Sequence, residues 1–73
     1  MKTIKLTEIK EDFSKNTIDV VVADINSVTE KNSTFTPKFG EKFTKLVTHV
    51  FVNGQGSIVV EESGQQVVNL MLI

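Results

Sequence analysis

The chain contains no cysteine, no tryptophan and no arginine, and has one histidine and one proline in 73 residues. Each absence removes a class of function. Without cysteine there is neither a disulfide framework nor a thiolate metal site, and His49 alone cannot build a centre of several imidazoles. Every cation is lysine, so no planar guanidinium is available to read guanine bidentately, which argues against base-specific recognition of a duplex. No stretch approaches the run of about 18 apolar residues that a membrane helix needs. The opening residues Met1 to Glu8 place charges where a secretory leader keeps an apolar core, so the expected location is cytoplasmic, away from membranes. No nucleophile has a recognisable partner. Asp19, Asp24, Glu61 and Glu62 read as solvated surface charges, and His49 as a partly buried strand histidine satisfied by a backbone group. No enzyme activity, metal or cofactor is expected.

What is present is unevenly spread. The net charge is −1, yet residues 31–45 carry Lys31, Lys38, Lys42 and Lys45 against Glu41, a local +3. Three of the five phenylalanines, Phe35, Phe39 and Phe43, fall in the same stretch. Rings interleaved with cations suit a single-stranded nucleic acid, because bases stack on flat apolar faces while lysines neutralise the phosphates between them. The same rings can instead plug the end of a small core. A slightly acidic chain makes a poor general polyanion binder, so any such affinity is expected to be modest and salt-sensitive.

At this length the chain is one domain, residues 1–73, with a core that must be efficient or shared with a partner. Leu6, Ile9 and Phe13 recur at helical spacing and predict a short helix over Lys5 to Phe13, although the alternation of Ile4 and Leu6 also permits a strand. Thr17 to Thr29 is dense in β-branched residues and reads as one long strand, apolar on both faces and therefore strongly bent. Glu30 to Glu41 reads as a loop and Lys42 to Val52 as the next strand, with Thr44, Leu46, Thr48, Val50 and Val52 on its core face. Its other face mixes Phe43, Lys45, Val47, His49 and Phe51, as a surface that meets a ligand or partner would. Asn53-Gly54-Gln55-Gly56 marks a hairpin into a strand over Ser57 to Glu62. Ser63 to Gln65 then predicts a turn and Gln66 to Ile73 a final apolar strand, which must be covered by its own barrel or by a second subunit.

This order is the opening of a small OB-like β-barrel, with an SH3-like barrel as the alternative closure. The segments Leu6 to Phe13, Ile18 to Ile25, Phe39 to Phe43 and Asn53 to Val60 together resemble the OB domains of archaeal single-stranded DNA-binding proteins and their replication protein A relatives. The resemblance spans residues 5–66 and implies that Phe39 and Phe43 lie near a ligand-facing rim. The family's stacking tryptophan is replaced here by the acidic Glu61-Glu62-Ser63. Room for the family's last strands is also lacking, which points to a reduced barrel or to completion by a second copy.

The expected fold is thus all-β with one short helix. The expected function is weak single-stranded DNA or RNA binding through Phe35, Lys38, Phe39, Lys42, Phe43 and Lys45, with Lys31 as a further phosphate contact. The alternative is a protein-interaction or assembly module of the viral or mobile-element kind, homodimeric through Val67 to Ile73.

Overall fold

Ile4 and Leu6 alternate with Lys5 and Thr7, and this period of two decides the first element. The computed structural model describes residues 1–73 and makes Thr3–Ile9 a strand, β1, not the helix predicted over Lys5 to Phe13. The spacing misled because both faces of the sheet are buried here. Leu6 and Ile9 would share one side of a helix, but on a strand they point to opposite faces, and each enters a different apolar cluster. Lys15–Val21 returns as β2, antiparallel to β1, with Leu6 opposite Ile18 and Ile4 opposite Val20.

The long strand expected over Thr17 to Thr29 bends so sharply that it breaks. A 3-10 turn at Val22–Asp24 separates β2 from β3, Ile25–Phe35. β3 absorbs half of the loop predicted over Glu30 to Glu41, because β4, Phe43–Val52, pairs with it along its whole length from Ile25↔Val52 to Phe35↔Phe43. Its polar residues are tolerated because β3 is an edge strand with a largely solvated side. β4 turns through Asn53 to Gln55 into β5, Gly56–Val60, and the turn needs the left-handed backbone of Gly54 and Gly56, φ +85° and +86°.

The sheet order is β2-β1-β5-β4-β3. β2 and β3 are consecutive in the chain yet stand at opposite edges, so the sheet curls towards the 3-10 turn. Two backbone bonds hold that corner, Val22 N–H to the Lys2 carbonyl at 3.0 Å and Asn53 N–H to the Asp24 carbonyl at 2.8 Å. The two edge strands do not pair with one another, so the sheet is open. The chain is mostly β with one short helix, and measures 40 × 20 × 18 Å.

That helix, α1, Gly64–Leu72, replaces the strand predicted over Gln66 to Ile73. Its start is a capping box: Gln66 N–H donates to Ser63 Oγ at 3.1 Å, and Ser63 N–H donates to Gln66 Oε1 at 2.8 Å. Val67, Leu70 and Met71, spaced as one helical face, pack on Ile4, Leu6, Val20, Val50, Val52, Ile58 and Val60. The Lys2 ammonium donates to the carbonyls of Met71 and Ile73 and so satisfies the helix C-terminus. Val67, Leu70 and Met71 are thus covered by their own chain, through helical packing and not strand pairing. Val68, Leu72 and Ile73 stay exposed, so the tail is not covered in full as the sequence led one to expect.

Candidate functional site

The uncovered side of the sheet is built around Phe13. Five residues, Lys10 to Ser14, link β1 to β2, and Asp12 organises them by accepting from Ser14 N–H at 3.0 Å and from its hydroxyl at 2.6 Å. Those two bonds, with a smaller contribution from Lys38, hold the Asp12 carboxyl below its ordinary value. Phe13 adopts φ +67°, a left-handed conformation that costs a side chain about 1–2 kcal/mol. Its return is aromatic packing: the ring meets Phe35 at 5.3 Å and Phe43 at 4.9 Å edge-on, above Ile9, Val47 and Val59. Lys15 and Lys45 place their ammonium groups 5.1 and 5.7 Å from the same ring.

This cluster redistributes the residues singled out in the sequence. Phe35 is 2% exposed and has no free face on which a base could stack. Phe43 is partly buried in the same triad, so it supports the fold as well as lining the surface. Phe39 is 94% exposed at the tip of the seven-residue loop Thr36 to Lys42, between exposed Lys38 and Gly40. The base of that loop is tied to the β1–β2 turn by Thr36 N–H donating to the Glu11 carbonyl at 2.9 Å. Lys42 and Lys45 are exposed beside it.

From the loop the surface continues along β4. Lys45 lies directly opposite Ser33, Val47 opposite Lys31 and His49 opposite Thr29, so all six share this face, and Phe51 follows with 43% of its area exposed. His49 Nε2 lies 2.8 Å from Ser33 Oγ, so the ring is satisfied by a hydroxyl and not by the expected backbone group. Burial first, and Lys31 second, hold His49 below its ordinary value. The chain has two ion pairs, Lys5 with Asp19 and Lys15 with Glu61. Lys31, Lys38, Lys42 and Lys45 therefore face solvent outside any ion pair, unlike Lys5 and Lys15, although Lys38 acts on the Asp12 carboxyl.

Of the acids expected to be solvated, Asp19 and Glu61 are exposed although each meets a lysine, and Glu62 is the one drawn into the fold. Glu61 is paired with Lys15, and Glu62 extends the sheet: its carboxylate accepts from Thr7 N–H at 2.9 Å and from the Thr7 hydroxyl at 3.0 Å. Both residues fasten β5 to the first hairpin. No group of three or more histidine, cysteine, aspartate or glutamate side chains gathers anywhere, and no helix is long and apolar enough to cross a membrane. Sequence reasoning missed Phe13 and Ser33. The first is visible only through its turn, and the second only through the β3–β4 register. Comparison with family models, with curated proteins and with solved structures finds no match for this chain.

Proposed function

We propose that the chain is a non-enzymatic module that binds single-stranded nucleic acid weakly and without sequence preference, along β4 and the β3–β4 loop. One observation carries this reading: Lys31 and Lys45 lie on one sheet face with the exposed ring of Phe51, the adjoining loop carries Lys38, Lys42 and the exposed ring of Phe39, and none of the four lysines is in an ion pair. Between Phe43 and Phe51 the strand offers about 26 Å of path, enough for the shorter of the roughly 4- to 16-nucleotide sites that small β domains use. Phe39 and Phe51 stack bases, and Lys31, Lys38, Lys42 and Lys45 contact phosphates. The OB-like resemblance read from the sequence points the same way, although the open edge between β2 and β3 weighs against full closure of a barrel.

A second reading, an assembly module with a cytoplasmic protein partner or a second copy, is favoured by the opposite side. Leu46, Val68, Leu72 and Ile73 are exposed there, and the outer edges of β2 and β3 are unpaired. Fluorescence anisotropy with labelled single-stranded DNA and RNA at low and moderate salt separates the two. Phe39→Ala is expected to cost about 1–3 kcal/mol of binding with no loss of stability, whereas Lys38→Gln with Lys42→Gln flattens the salt dependence. Absence of binding to either polymer at low salt sinks the reading and transfers the exposed rings to a protein interface.

A further inference from the structure

We propose that Ser33 and His49, framed by Lys31 and Lys45, form a phosphate subsite at the middle of the open face, and that His49 takes up a proton when the subsite fills. The inference rests on the nucleic-acid reading above and names the group that this part of the surface holds.

The geometry is a hydroxyl–imidazole pair with Lys31 close enough to act on the ring and Lys45 across the ladder from the serine, its ammonium resting 5.7 Å from the centre of the Phe13 ring. Ser33 Oγ and His49 Nε2 are 2.8 Å apart. Lys45 stands directly across the ladder from Ser33, at the about 4.5–5.5 Å Cβ separation of such pairs, and Lys31 precedes Ser33 by two residues on the same face. Val47, opposite Lys31, forms the buried apolar floor between them. β5 adds only Ser57 and Val59 to this face, opposite Phe51 and His49. No carboxylate on β3, β4 or β5 shares it, and beyond β5 the charges of Lys15 and Glu61 are already paired at 3.1 Å.

Protonation changes what this pair can offer. With a neutral ring, Nε2 and the hydroxyl exchange one hydrogen bond in either direction, and the serine hydrogen can be spent on the ring. With an imidazolium, Nε2 must donate, Ser33 Oγ must accept, and the serine hydrogen turns outward as a donor to an anion. In the free protein a further positive charge is disfavoured by burial and by Lys31. A phosphate held between Lys31 and Lys45 supplies the missing negative charge. Reciprocity then requires that protonation tighten phosphate binding by the factor by which phosphate favours the proton.

The test follows the His49 ring protons by NMR from pH 5 to 8, alone, with saturating oligothymidylate, and with inorganic tripolyphosphate. The expected result is an upward displacement of the His49 midpoint by about one unit, equivalent to about tenfold tighter binding to the protonated form. Ser33→Ala and His49→Gln, each checked for an intact amide spectrum, should both lose most of the pH dependence of oligothymidylate affinity. The pair Lys31→Gln and Lys45→Gln, which leaves Ser33 and His49 untouched, should abolish the displacement itself. An oligonucleotide that binds without moving His49 overturns the subsite and leaves the nucleic-acid reading standing. Tripolyphosphate that moves His49 while no oligonucleotide binds supports the subsite and removes the polymer. A His49 midpoint unmoved by either probe, or a pH dependence that survives in His49→Gln, overturns the proposal.

Discussion

The two faces of the sheet bury their apolar residues by different means. On one, α1 arrives from the far end of the chain and closes over a cluster of aliphatic, largely β-branched side chains. On the other, a local turn folds Phe13 over Phe35 and Phe43, covers only Ile9, Val47 and their neighbours, and leaves the rest of the face to lysines, serine, histidine and an exposed ring. In 73 residues the hydrophobic effect is concentrated where coverage is complete. The half-covered face can therefore hold unpaired cations, which a closed face could not hold without a desolvation cost.

Removing the helix should break this arrangement most severely. Truncation after Gln66 deletes Val67 and uncovers Leu6, Val50 and Val60, and the expected result, by circular dichroism and light scattering, is loss of the cooperative transition with aggregation. A soluble, cooperatively folding truncation would show that the covered face does not depend on its helix.

The next effect sharpens the comparison. Phe35→Ala empties the centre of the aromatic cluster and should cost about 3–5 kcal/mol, while Leu6→Ala in the aliphatic cluster should cost about 2–5 kcal/mol. Because the residues share no cluster, urea denaturation of the double variant, made in a stabilised background, should give the sum to within about 0.5 kcal/mol. A larger departure would mean that the two faces form one core through the sheet.

The smallest effect is the pH dependence from His49. Its folded value lies below the ordinary 6.5, so around that pH the unfolded chain binds more protons than the folded one. Stability should rise with pH through this window, level off above it, and fall as the medium is acidified. His49→Gln should remove that segment of the profile in thermal melts at several pH values.

Much of this difference between the faces is written in the sequence, and some is not. The alternation over Phe43 to Val52 separates the two faces, because strand periodicity is strict and β4 is paired on both sides. Of the expected core face, however, only Thr48, Val50 and Val52 are buried: Thr44 and Leu46 lie beyond the reach of α1 and are exposed, while Val47 on the mixed face is buried under the aromatic cluster. The hairpin glycines were equally legible. The first strand was hidden because Leu6 and Ile9 are both buried but on different faces, a pattern that imitates a helix. The last element was hidden for the converse reason: Val67-Val-Asn-Leu-Met-Leu-Ile73 is a short apolar run whose composition fits strand or helix, and the deciding signal was Ser63 with Gln66 three residues later. Of the candidate site, the exposure of Phe39 follows from its flanking Lys38 and Gly40. The burial of Phe35 does not, since it depends on a turn more than twenty residues away.

The join between β1 and β5 has a consequence for how fast the chain folds. β1 with β2, and β3 with β4 and β5, are each assembled from neighbours in sequence, whereas β1 meets β5 in a single register pair, Glu8↔Val60, reinforced by Glu61 N–H to the Thr7 carbonyl at 2.8 Å and by the Glu62 carboxylate on Thr7. The two units can form on the microsecond scale typical of local β structure, but bringing Glu8 to Val60 joins residues 52 positions apart for very little ladder. Docking of the two halves is therefore the step expected to limit folding, and loss of the Glu62 carboxylate is expected to speed separation of the seam more than it slows its formation.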